Sequence, residues 1–300
     1  MAPKPGCIPL RPLLLGEILS GSFSAISRNA RTVFGLTAVI AIIQAVISLV
    51  VQSYAGSDYH RAIDNSDPSN PKIHWAALGK LLSGSFGGSL LSSVFAAVLT
   101  GMLIVVVTED VVGRTASVAL VWSKVRSRIW RLVVLSLLVS LVSALALVFC
   151  IAPGVWLWGI WAVAVPALVI ENGGIVSSLG RSRSLVSGMF WRVWGIRALG
   201  YLIGGLIAGV VGGIFTVIAG GVSGTTAHTL LTGGSSDGSG SLPFSYLIIA
   251  AIGTAVAVML SAPIQAAIDS LLYVDLRMRK ENLAVDLQRA AALVQRPQAG

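Results

Sequence analysis

Six apolar runs, each about long enough to cross a lipid bilayer, decide what this chain can become. They cover residues 33–53, 85–107, 132–150, 154–170, 198–220 and 244–267. The hydrocarbon core of a bilayer takes about 17–25 mostly apolar residues per helix. Inside it every backbone N–H and C=O must be satisfied within the segment, so such runs are helices. The charge content closes the soluble alternative. Only 11% of the residues are charged and 55% are hydrophobic, against roughly 25% charged in soluble proteins. The expected fold is an all-α, polytopic integral membrane protein with six transmembrane helices, the 300 residues forming a single membrane domain. The third and fourth runs are separated only by Ile151, Ala152 and Pro153, read as a tight hairpin with a helix-breaking proline.

The basic residues set the expected orientation. Eighteen of the 21 fall in the amino segment, the 2–3 loop, the 4–5 loop and the tail; only Arg61, Lys72 and Lys80 fall on the other side. Lys and Arg collect on the cytoplasmic side of membrane proteins. Both termini are therefore expected in the cytoplasm and the chain in the plasma membrane. The net charge of +9 then reflects this asymmetry, and no nucleic-acid partner is expected. Residues 1–12 are proline-rich and resemble no secretory signal, so the first span is expected to stay as an anchor. Cys7 and Cys150 fall on opposite sides of the membrane and are not expected to pair.

An internal repeat is visible at the basic side. LLLGEILSGSFSAISRNARTVFGL, TASVALVWSKVRSRIWRLVVL and IVSSLGRSRSLVSGMFWRVWGI precede the first, third and fifth spans. Each is an amphipathic stretch, a short polar or glycine break, then an aromatic with nearby arginine. In the first, Leu15, Ile18, Leu19, Ser22, Phe23 and Ile26 share a face at helical spacing. Helices of this kind lie in the membrane interface, and Trp130, Trp191 and Trp194 stand where interfacial aromatics belong. The even spans end in VVVTEDVVGR, ALVIENGGIV and LLYVDLRMRK, each with an acid: Glu109, Glu171 and Asp275. The pattern gives three units of interfacial helix, span, span over about 13–110, 111–172 and 173–276, then a cytoplasmic tail, 277–300. The alternative is coincidence, since any cytoplasmic membrane loop gathers arginine and tryptophan.

IPLRPLLLGEILSGSF (8–23), SLGRSRSLVSGMFWRVWG (178–195) and SLLYVDLRMRKENLAVDLQRAA (270–291) resemble the actinobacterial family of glycerophosphoryl diester phosphodiesterase membrane domains. The similarity runs over nearly the whole chain. The phosphodiesterase domain after which that family is named is a soluble barrel, and such barrels need about 250 residues. No stretch here supplies one. The resemblance thus implies the membrane portion only, and no enzyme activity.

The residues themselves agree with that expectation. His60, His74 and His228 all fall on the outer side, outside any catalytic or metal motif. His60 and Asp64, four apart, would ligate a metal on one helical face, but the neighbouring DNSDPSNP is turn-forming and favours a solvated loop. GGSSDGSGS lacks the Gly-Lys-Ser/Thr of a phosphate loop and reads as a flexible linker. No catalytic residue, cofactor or metal is expected.

Inside the bilayer the candidate polar site is Gln44, Gln265, Asp269 and Arg197. Ser261, Gln265 and Asp269 form one stripe, with Pro263 within it. An intramembrane acid is a functional candidate by default; the structural alternative pairs Asp269 with Arg197. Gly200, Gly204, Gly205, Gly209 and Gly213 on the fifth span are expected to pack helices closely. Arg126, Arg128, Arg181, Arg183 and Arg192 are the candidate contacts for anionic headgroups. Two functions remain open: a non-enzymatic protein handling a lipid or amphiphile, and an accessory subunit of a membrane complex acting through its basic face, with a membrane-protein partner.

The orientation is directly testable. In a background without native cysteines, Asp67→Cys and Asp237→Cys should react with an impermeant thiol reagent on whole cells, and Lys124→Cys and Gln288→Cys only after lysis. Labelling of Lys124→Cys in intact cells would overturn the orientation.

Overall fold

The computed structural model describes residues 11–64, 75–111, 116–149, 151–224 and 243–281, with side-chain surroundings outside 51–86, 89 and 147–151. Among the described residues every regular element is helical: α1 Leu15–Arg28, α2 Ala30–Asp64, α3 Trp75–Val111, α4 Val118–Val125, α5 Ile129–Phe149, α6 Ile151–Ile160, α7 Ala164–Glu171, α8 Ile175–Val186, α9 Phe190–Ser223 and α10 Phe244–Glu281. A single 3-10 turn, Arg126–Arg128, joins α4 to α5. Six stretches among the described residues are long and apolar enough to cross a membrane. The protein is an all-α polytopic membrane protein.

The short helices α1, α4 and α8 stand ahead of the long helices α2, α5 and α9, so the order short, long, long recurs, with α6 and α7 together in the place of one span. Their starts are locally encoded. Ser117 caps α4 by accepting from the Leu120 N–H at 3.3 Å. Glu17 reaches back to the Leu14 N–H at 2.8 Å ahead of α1. Asn172, in the left-handed region at φ 53°, ends α7, and α8 begins after Gly174. The buried face of α1 is Ile18, Gly21, Ser22, Ala25 and Ile26, whereas Leu15 and Phe23 are exposed. The face expected from the apolar spacing is rotated. Ile18, Ser22 and Ile26 of the apolar stripe meet the protein together with Gly21 and Ala25, while Leu15 and Phe23 turn outward, because lipid is as good a solvent for Leu and Phe as a core.

The fourth span departs most from expectation. α5 and α6 do pack as neighbours, but Pro153 is not the helix breaker between them; it sits in the first turn of α6, where its missing N–H costs nothing. The break comes later, at 161–163, between α6 and α7. Pro166 explains it: in an unbroken helix its ring would clash with the Ala162 carbonyl, to which it has no N–H to donate, whereas in the first turn of α7 it is tolerated. By contrast α10 runs through Pro263 without ending, and continues to Glu281, so the first residues assigned to the tail are helical.

By contacts the chain divides into two compact units: Met1–Thr37, Ser93–Gly204 and Ser261–Gly300, and Ala38–Ser92 with Gly205–Leu260. The first has a core of Leu99, Leu103, Ile104, Leu132, Leu135, Leu168, Leu185 and Tyr273, and every acid whose surroundings are described. In the second, Gln44 donates to Ser92 at 2.9 Å, and Phe215 lies so close to Gly253 that a Cβ there would be 2.3 Å away.

Candidate functional site

The break in the fourth span frees three backbone groups. Ala162 N–H bonds Gly159 O at 3.3 Å and Ala164 N–H bonds Trp161 O at 3.2 Å, both one residue short of helical pairing. Trp158 O and Ile160 O lose their helical donors, and Val163 N–H loses its acceptor. Side chains from two other helices replace them. Ser182 of α8 donates to Ile160 O at 2.7 Å and accepts from Val163 N–H at 3.3 Å. Arg197 of α9 donates to Trp158 O at 2.6 Å.

Arg197 is thereby fixed within an apolar stretch, and three further groups hold it. Its guanidinium lies 4.5 Å from the Trp158 ring centre and 5.6 Å from that of Tyr201, a cation–π arrangement. Its Nε lies 3.3 Å from Asp269 Oδ1, off the hydrogen-bond axis, so the approach is electrostatic and Nε makes no hydrogen bond. Asp269 and Arg197 meet as an ion pair and Gln265 lies one turn away on α10. Gln44, in the second unit, is bonded to Ser92.

The glycines of α9 divide. A Cβ on Gly200 would lie 2.8 Å from Ile268, and one on Gly204 2.6 Å from Gln265, so these two admit α10. Gly205, Gly209 and Gly213 meet nothing within 4 Å among the described residues. The expected packing role is corrected for these three. They share a face with exposed Leu202, Leu206 and Val210, turned away from the contact with α10.

Beyond the apolar stretches, acids and arginines form a linked cluster. Asp275, fully buried, accepts from the Leu13 N–H at 2.8 Å, from Arg192 at 3.0 Å and from Arg279 at 3.0 Å. The same two arginines donate to Leu13 O at 2.8 and 2.7 Å. Both backbone groups of one residue ahead of α1 are thus held by α9 and α10. Glu171 takes Arg181 at 2.7 Å and the Tyr273 hydroxyl at 2.9 Å, while Arg181 also pairs with Glu281. Burial alone would lower the Arg181 pKa; its bonds and charge contacts with Glu171 and Glu281 outweigh that and raise it above the usual arginine value. Lys280 donates to Ser184 O and Ser187 O at the carboxyl end of α8, where a cation also meets the helix dipole.

The exit of α3 is organised by Asp110 rather than by Glu109. Asp110 is buried and meets Arg28 at 3.1 Å and Asn29 at 3.3 Å, while Glu109 pairs with Lys124 at 2.7 Å nearer the surface. Asn29 passes the link on by accepting from the Ala116 N–H at 3.4 Å. Glu109 and Asp110 are adjacent, and the helical face each occupies makes Asp110 the buried one.

Of the five arginines expected to meet headgroups, Arg181 and Arg192 are spent on carboxylates inside the protein. Arg128 donates to Val169 O at 2.7 Å and Asn172 Oδ1 at 2.9 Å. Arg126 and Arg183 are exposed, and pair with no acid among the described residues. Ser182, Asn172, Asn29 and Leu13 carry weight that no motif announced. Pro166 was the one available signal, pointing to a break that needs capping. The Asp58, His60 and Asp64 side chains lie outside the described surroundings, and Asp67 and His74 outside the described residues. Among the described residues no three His, Cys, Asp or Glu converge. Comparison of the chain with family models, with curated proteins and with solved structures found no match.

Asp269→Asn leaves Arg197 buried without a counter-charge, which should cost about 3 kcal/mol or more and lower the thermal midpoint of the purified protein. Adding Arg197→Gln should recover only part of the loss, because Trp158 O then lacks its donor. Full recovery in the double variant would show that the pair matters only as two charges.

Proposed function

We propose that this protein is a non-enzymatic component of the plasma membrane, with both termini in the cytoplasm, that holds or moves a lipid or other anionic amphiphile. The observation that carries the reading is the placing of three arginines. Arg31, Arg126 and Arg183 stand on or just after α1, α4 and α8; all three are exposed and none has a carboxylate partner among the described residues. Trp130 and Trp191 beside them are 74% and 78% exposed, as suits rings at headgroup level. Many of the other described cations are consumed by the protein's own acids and carbonyls, so these three are among the charges the surface offers an anion.

Membership in the glycerophosphoryl diester phosphodiesterase membrane-domain family is part of the proposal and covers the membrane portion alone. In its support, the described parts of 8–23, 178–195 and 270–291, which carry the resemblance, meet through Leu13, Arg192 and Asp275.

Each arginine near an anionic surface contributes about 1 kcal/mol. Replacing Arg31, Arg126 and Arg183 together by glutamine should weaken retention of anionic lipid on the order of a hundredfold at low salt, and less as salt rises. Native mass spectrometry of the protein released from membranes measures this. Unchanged anionic lipid in the triple variant would overturn the reading and favour the accessory-subunit alternative.

A further inference from the structure

The ion pairing is uneven around the cluster. Arg28, Lys124, Arg181, Arg192, Arg197, Arg277 and Arg279 each meet a carboxylate. At the 3-10 turn between α4 and α5, Arg126, Arg128 and Arg131 meet none among the described residues. Arg128 Nε and Arg131 instead converge on one neutral oxygen, Asn172 Oδ1, at 2.9 and 3.5 Å. An amide oxygen accepts hydrogen bonds but cancels no charge, so three guanidinium charges within six residues stay uncompensated.

The corner is also prearranged. Arg128 is tied at its other end to Val169 O in the last turn of α7. Asn172 is held in the left-handed conformation that ends that helix, followed by Gly173 and Gly174, which leave its side chain uncrowded. Trp130, between Arg128 and Arg131, is strongly exposed.

The geometry points to a phosphate-binding site at this corner, in which a phosphate group replaces Asn172 Oδ1 as the shared acceptor of Arg128 and Arg131 and Arg126 closes on it from the turn. Guanidinium forks match phosphate, whose tetrahedral oxygens take donors from more than one arginine at once. Trp130 places the group at headgroup depth, so a phosphate-bearing lipid is the occupant. The assignment deepens the lipid-handling reading and rests on it, since it names the chemistry and place of one site on that face.

The test uses the full chain in phosphatidylcholine nanodiscs containing either phosphatidylglycerol or oleate, with lipid retention read by native mass spectrometry. Three variants are compared with the parent: Arg126→Gln/Arg131→Gln, Asn172→Asp and Arg183→Gln. Asn172→Asp sets a carboxylate between the two guanidiniums; aspartate tolerates the left-handed conformation and the new pair should hold or raise thermal stability, so its effect is not unfolding. Phosphatidylglycerol retention should fall roughly thirtyfold in the first variant, tenfold or more in the second, and only about fivefold in the third, the share of one arginine away from this corner, and oleate should bind more weakly throughout. Competition by inorganic phosphate or glycerol phosphate added alone would place the source in solution while keeping the phosphate chemistry. An equal loss in Arg183→Gln, or full retention in Asn172→Asp, would overturn the site and leave the broader lipid-handling reading standing. Equal retention of oleate would overturn phosphate as the ligand. Absence of any anionic lipid on the parent would overturn both readings.

Discussion

A broken helix in hydrocarbon is possible only where something else supplies the hydrogen bonds it has lost. The gap between α6 and α7 is such a place, and much of the first unit is arranged around it. Ser182 serves two of the freed groups and Arg197 the third. Each obligation creates another. An arginine in an apolar stretch requires a counter-charge, hence Asp269, and the faces of Trp158 and Tyr201 take the rest of its surface. A serine that must reach the gap fixes the position of α8. That helix is secured in turn by Arg181 to Glu171 and Glu281 and by Lys280 at its last carbonyls. α8 is therefore a bound part of the bundle, with Ser178 and Ser182 buried, and not a helix floating in the interface.

The links among the short helices have a direction. Thr32, Arg131 and Arg192 each stand immediately before a buried residue, Val33, Leu132 and Val193. Thr32 donates to Ala116 O ahead of α4, Arg131 to Asn172 ahead of α8, and Arg192 to Leu13 O ahead of α1. The first two joins span 84 and 41 residues, and the third 179. That long join carries the strongest chemistry: a buried carboxylate, two arginines and both backbone groups of Leu13. Charge-assisted bonds are roughly twice as strong as neutral ones, which suits a contact that no nearby covalent connection supports.

Much of this could be read before any coordinates. Apolar runs fix the long helices because length and hydropathy are summed over about twenty residues, where single exceptions average out. Glu171 and Asp275 were visible because acids are rare here, and Arg197 was the evident partner for Asp269. What escaped depends on direction rather than identity. Asp110 and Glu109 are adjacent and chemically alike, and only the rotation of α3 buries one of them. Gly204 and Gly205 are likewise adjacent, yet only the first faces α10. In α1 the apolar stripe is split, with Ile18 and Ile26 buried and Leu15 and Phe23 exposed, because in a membrane hydrophobicity does not imply burial. Pro166 announced the break, but no pattern in the chain says which distant hydroxyl and guanidinium will close it.

Hydrogen exchange at the break addresses the central claim most directly. Ser182→Ala removes the acceptor for the Val163 N–H and the donor to Ile160 O, both buried, which should cost about 1–3 kcal/mol locally. Exchange in the 157–168 segment of the protein in nanodiscs should accelerate at Val163 and its neighbours, while α2 and α5 keep their protection, and Ser182→Thr, which retains the hydroxyl, should stay near the parent. Unchanged exchange at Val163 in Ser182→Ala, with unaltered thermal stability, would contradict the claim.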